Sequence, residues 1–181
     1  MIIPWLDWAS LAIRWLHLAA GIAWIGTSFY FIWLDRSLRV RENLPKGVQG
    51  ESWSVHGGGF YHVQKYAVAP EALPDDLHWF KYEAYFTWLS GFALLIVLYY
   101  FGANTYLIDS TRADLTPTMA IGISVAFLIG SWGLYEALCR SPIGRSTTVL
   151  ASSVLVLILV SAFLLTQIFS DRAAFLHVGA L

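Results

Sequence analysis

Charged positions in this chain fall in short clusters separated by long apolar runs. Residues 15–34 run between Arg14 and Asp35 with only His17 as a titratable interruption. Residues 84–108 run between Glu83 and Asp109, residues 115–135 between Asp114 and Glu136, and residues 146–170 between Arg145 and Asp171. A helix needs about 20 residues to cross a hydrocarbon core of about 30 Å, and each run is long enough. Backbone polar groups in lipid must bond within their own segment, which makes helices the expected form. The pattern predicts an all-α integral membrane protein, a polytopic helical bundle with spans at 8–34, 84–108, 115–136 and 146–170. A fifth apolar run, 173–181, is too short to span and reads as the start of a helix truncated by the end of the chain. The first run is not a cleavable signal peptide, because no basic residue precedes Arg14 and no small-x-small site follows it.

The segment 35–83 is the one sizeable polar stretch. Residues 36–42 read as an interfacial continuation of the first helix, broken by Pro45, Gly47 and Gly50. Three consecutive glycines, Gly57 to Gly59, permit an unusual backbone path. Residues 60–68 then alternate as a strand does, with Phe60, His62, Gln64 and Tyr66 on one face and Tyr61, Val63 and Lys65 on the other. Ala19, Ala23 and Thr27 form a smooth helix face, as do Gly122, Ala126 and Gly130, and both read as packing faces.

Composition agrees with the pattern. Apolar residues make up 57% of the chain and charged ones 13%, against about 25% charged in a soluble domain. The net charge of −1 gives no reason to expect nucleic acid as a partner. The single cysteine, Cys139, excludes an intrachain disulfide. Nine Trp suit a chain with two membrane–water interfaces. Arg36, Arg39, Arg41, Lys46, Lys65 and Lys81 lie in the first loop, and Arg140 and Arg145 in the third connection. The positive-inside rule therefore sets the N-terminus outside and the long first loop in the cytoplasm.

Two places could carry chemistry. His17 is a polar group inside an apolar helix, which by default marks function. Arg14, His17, Gly21, Trp24 and Ser28 share one helix face. An imidazole for iron, space for a flat macrocycle and a cation for a propionate are what a haem requires, and His17, Gly21 and Arg14 could meet those needs. His177, in the fifth run, lies at a similar expected depth and could serve as a second ligand, to haem iron or to another metal. The structural alternative is a histidine bonded to a neighbouring helix, with Arg14 reaching water. The second place is the first loop. His56, His62, Lys65, Gln64, Trp53, Phe60 and Tyr61 combine aromatic faces with hydrogen-bonding groups, as a site for a flat polar heterocycle would. The alternative is an amphipathic loop lying against headgroups.

Trp15-Leu-His17-Leu-Ala-Ala-Gly-Ile-Ala-Trp24-Ile-Gly26 with Ser28-Phe-Tyr-Phe-Ile-Trp-Leu-Asp35 resembles the start of the bacterial, cytochrome-c-linked membrane urate oxidase (urate hydroxylase) family. The resemblance continues through Gly50-Glu-Ser-Trp53-Ser-Val-His56-Gly-Gly-Gly-Phe-Tyr-His62-Val-Gln-Lys65-Tyr66, His78-Trp-Phe-Lys81-Tyr-Glu83-Ala, Thr87-Trp-Leu-Ser-Gly91 and Phe175-Leu-His177-Val-Gly-Ala. It implies an N-terminal domain of about eight helices followed by a cytochrome c domain. This chain stops in the fifth helix and has no Cys-x-x-Cys-His, so it looks like the front part of that membrane domain, 1–181. The shorter pattern His17, Trp24, Gly26 also resembles the first helix of the protoporphyrinogen oxidase membrane family and of copper-resistance membrane proteins.

The resemblance implies a urate-oxidising module of purine catabolism in the bacterial inner membrane. Urate would become 5-hydroxyisourate, with water supplying the oxygen. Electrons would pass through a b-type haem at His17 towards cytochrome c or another respiratory component. Lys65 and Gln64 would meet the urate anion, His62 or His56 would act as base, and Phe60 or Trp53 would stack. It leaves open whether the chain alone is active. Two rival readings stand beside it: a haem- or copper-binding membrane protein without urate chemistry, and a transporter-like bundle.

Overall fold

The structure, a computed structural model, describes residues 4–181. Four helices are long and apolar enough to cross a membrane by length and composition: α1 (Trp5–Ser37), α2 (Lys81–Leu95, continuing to Tyr100), α3 (Pro117–Arg140) and α4 (Thr147–Ile168). A short α5 (Asp171–Gly179) closes the chain. The starts are capped as the sequence chemistry requires. Thr116, Ser146 and Ser170 each accept a backbone N–H of the first turn of α3, α4 and α5, satisfying a donor that the helix cannot. The expected spans at 8–34, 115–136 and 146–170 overlap α1, α3 and α4 with ends differing by a few residues, whereas the one at 84–108 extends well past α2.

The all-α expectation omits one element. Residues 48–66 form an antiparallel hairpin, β1 (Val48–His56) with β2 (Gly59–Tyr66). Gly57 and Gly58 both have positive φ, 57° and 82°. That is the backbone of a two-residue turn whose twist matches its strands, and side chains with a Cβ resist it. The expected interfacial helix at 36–42 is also absent. Helix α1 stops at Ser37, and Arg39 pairs with Glu51 through two backbone hydrogen bonds of 2.8 and 3.0 Å. The chain leaves α1 as an extended segment bound to the edge of β1.

The expected unbroken span at 84–108 is interrupted too. After Leu95 the helix widens to π geometry at Ile96–Tyr100, turns at Gly102, and takes one more wide turn at Ala103–Leu107. A Cβ at position 102 would lie 2.6 Å from the Leu98 carbonyl oxygen, so only glycine fits that turn.

The chain divides into two compact units. In the first, Arg14–Gly91, the hairpin lies on the end of α1. Leu34 and Ser52 are buried, and the Ser37 and Ser52 hydroxyls are 2.9 Å apart. The second holds Phe92–Leu181 with residues 4–13. Its core is Leu95, Tyr99, Ala103, Leu107, Ala120, Leu165, Phe169, Ala173 and Ala174. The alanines let helices approach closely. Arg112 ties this unit's loops together. It donates to the Thr166 and Phe169 carbonyls at the end of α4, and it meets Asp171 at 2.7 Å and Asp109 at 3.1 Å. Asp171 is the main reason this guanidinium holds its proton above the usual range. The small-residue face of α3 does not pack as expected: a methyl added at Gly122 or Gly130 would meet nothing within 4 Å among the described residues.

Candidate functional site

His17 projects from α1 against α2 within the first unit. Its Nδ1 lies 3.1 Å from both the Thr87 carbonyl and the Ser90 hydroxyl. A carbonyl only accepts, so Nδ1 carries the hydrogen. Ser90 in turn donates to the Phe86 carbonyl at 2.6 Å, which leaves its oxygen free to accept. Nε2 then holds the lone pair, and no described residue bonds to it. An imidazole anchored through Nδ1–H to a backbone carbonyl is how a metal-ligating histidine is usually oriented. Gly91 makes the approach possible. A Cβ there would sit 3.0 Å from His17 Cε1. Arg14 lies one turn earlier on α1 and is exposed. His17 thus has a ring nitrogen that would be free to hold a metal, the donor that a haem would need.

His177 is built differently. It is fully buried in the second unit. Its Nδ1 lies 2.7 Å from the Ala173 carbonyl one turn back and its Nε2 2.5 Å from the Ser124 hydroxyl, which also meets the Tyr100 hydroxyl at 2.8 Å. Phe169 stacks on its ring, with centroids 5.0 Å apart. Both nitrogens are engaged, so His177 offers no lone pair to iron while these bonds stand. Among the described residues no group of three or more His, Cys, Asp and Glu could hold a metal.

The hairpin sorts the remaining candidates onto two faces, because strand neighbours alternate. Lys65 shares the inner face with Ser52, Ser54 and Tyr61, turned towards α1. Its ammonium lies 2.7 Å from Asp35 on α1. Both partners are about half exposed, so this pair adds little stability. His56 ends β1 and, with Tyr30, Trp33, Ser54, Val55 and Tyr61, lines a pocket of about 340 Å³. The outer face carries Trp53, Phe60, His62 and Gln64. Trp53 and His62 are cross-strand partners whose rings stack 4.3 Å apart at 12°. The structure therefore keeps Lys65, His56 and Tyr61 on one face and Trp53, Phe60, His62 and Gln64 on the other.

One residue of this cluster escaped the sequence reading. Glu51, opposite Gln64 on the outer face, accepts from His62 Nε2 at 2.7 Å and meets Arg41 at 3.3 Å. The His62 hydrogen bond, with smaller help from Gln64 and Arg41, holds its carboxyl below the usual carboxylate range. The only signal available was its place two residues before Trp53, on the same face of a strand that the sequence reading did not assign.

Residues 4–181 match the family model described as urate oxidase N-terminal. The chain belongs to this family. No curated protein and no solved structure matches it. Membership in the urate oxidase N-terminal family points to an oxidoreductase of urate catabolism. The His17 anchor and the hairpin both lie inside the matched segment.

Proposed function

We propose that this chain is the membrane module of a urate-oxidising oxidoreductase that converts urate and water to 5-hydroxyisourate, releasing two protons and two electrons. Family membership over residues 4–181 supports the substrate. The exposed surface supports the bilayer. Trp132, Ile129, Phe163 and Leu159 are each more than 60% exposed on α3 and α4. Leaving such side chains in water forfeits about 1.5–3 kcal/mol apiece, which lipid would recover. The basic residues of 35–83 favour a cytoplasmic first loop and an N-terminus on the periplasmic side.

One observation carries the redox part: the His17 imidazole is fixed through Nδ1 and has an open Nε2. Nε2 would hold the iron of a b-type haem, Thr87 and Ser90 would fix the ring plane, and Arg14 would provide a cation for a propionate. When bound, haem supplies one-electron transfer. Towards urate, the outer hairpin face would offer the exposed Phe60 ring for stacking, the Gln64 amide for an imide edge and the His62 imidazole for a proton. Cytochrome c, as a fused domain or a partner, is the proposed electron acceptor.

The deciding experiment is the absorption spectrum of the purified full-length protein before and after anaerobic addition of urate. A Soret band whose reduced form appears with urate is the expected result. No haem band would overturn the redox role of His17. A band indifferent to urate would leave a haem protein without urate chemistry.

A further inference from the structure

We propose that Glu51 is a positioning residue for a proton-accepting His62, keeping the imidazole hydrogen on Nε2 so that the Nδ1 lone pair faces the substrate. The inference rests on the oxidoreductase reading above and assigns a role to a residue that reading did not use.

The geometry is specific. A carboxylate can only accept, so the 2.7 Å contact between Glu51 Oε2 and His62 Nε2 requires the hydrogen on Nε2. In a neutral imidazole the other nitrogen then bears the lone pair. His62 Nδ1 has no hydrogen-bond partner among the described residues. The ring cannot swing freely, because Trp53 stacks on it at 4.3 Å. The Glu51 side chain is only 12% exposed and the His62 side chain 32%. The orienting group is thus withdrawn and the reacting group reachable. Arg41 at 3.3 Å and the Gln64 side chain also face Glu51, and both favour its anionic form. A carboxylate that fixes the tautomer of a histidine base and faces the imidazolium once formed is the arrangement of hydrolytic dyads and triads. Here it stands beside the exposed ring of Phe60, two residues along the same strand face, on which a planar, amide-edged anion can lie with its edge towards Nδ1.

The step is a proton transfer alone. An N–H bond of the heterocycle breaks, its electron pair stays on that nitrogen, and the proton goes to Nδ1. The ring left behind is richer in electrons and gives them up more readily to the acceptor.

The test uses the full-length protein with urate. Glu51→Gln should lower kcat by about a hundredfold or more, the usual contribution of a positioned base, with KM within about threefold and the haem spectrum unchanged. Selective ¹⁵N-histidine NMR of the wild type should show His62 protonated at Nε2, and Glu51→Gln should move that proton to Nδ1. Adding imidazole to His62→Gly should restore turnover in proportion to its concentration. Arg140→Ala, which removes an exposed ion pair on α3 remote from the hairpin in sequence, should stay within about threefold of wild type. Turnover indifferent to Glu51→Gln, or a wild-type His62 protonated at Nδ1, would overturn the proposal while leaving the oxidoreductase reading intact. A wild-type protein without urate turnover would overturn both.

Discussion

His17 and His177 are the same side chain in similar company, each on an apolar helix with a carbonyl fixing Nδ1. They differ in the other nitrogen. Ser124 fills the second valence of His177 inside a closed core, whereas His17 Nε2 is left open beside a glycine. An imidazole in an apolar segment is therefore not a functional signal in itself. What matters is whether the fold satisfies it once or twice. A histidine satisfied twice is a core element that helps define how α3 and α5 pack. One satisfied once has a lone pair to give.

The largest effect that could break this comparison is on the haem band. His17→Ala should abolish it in purified protein, and His177→Ala should leave it in place. Loss of the band in a folded His177→Ala protein would make the two histidines equivalent. Stability should rank them in the opposite order. His177→Ala opens a cavity and leaves Ser124 with Tyr100 as its one remaining partner, so unfolding in detergent should become easier by about 2–4 kcal/mol. His17 is half-buried and should cost about 1 kcal/mol when removed. Gly91→Ala sharpens the contrast. Its methyl would press on Cε1 of the His17 ring at 3.0 Å, costing about 1–3 kcal/mol and shifting the Soret maximum without removing it. An unchanged spectrum would mean the ring has room to retreat. The smallest effect concerns acid. Glu51 titrates below its ordinary 4.5 because the folded hairpin favours its anion. Its contribution is therefore complete above 4.5 and fades as pH falls through the lower folded value. Amide exchange in β1 and β2 should accelerate over that range. Amides around Thr87 should not follow, since no carboxylate takes part in the His17 hydrogen bonds.

The helices were legible because apolar length is a local property: the expected spans mark α1, α3 and α4 to within a few residues, while the break after Tyr100 falls inside the run at 84–108, which stays apolar and so does not mark it. Strand β2 was legible for the same reason, its alternation being written in Phe60 to Tyr66. Strand β1 was not, because Ser52, Ser54 and Gly50 dilute its pattern, although a glycine pair before an alternating run is a hairpin signal. Without β1 the register was hidden, and with it the pairing of Trp53 with His62 and the approach of Glu51. The alternation already set Lys65 and Gln64 on opposite faces, but without β1 nothing showed that the Lys65 face is the one turned towards Asp35. The two histidines could not be told apart either. Their deciding partners, Ser90 and Ser124, lie 73 and 53 residues away in sequence. Spacing within one helix says nothing about what another helix brings to it.

The hairpin also sets an order in time. Its strands, its turn and its bonds to Ser37 and Asp35 involve nothing beyond residue 66, and a hairpin closes in about 1–10 μs. His17 must wait for Ser90, about 24 residues later, which at about 5–20 residues per second is roughly 1–5 s of synthesis. A nascent chain arrested between those points would carry a finished hairpin and an unanchored imidazole.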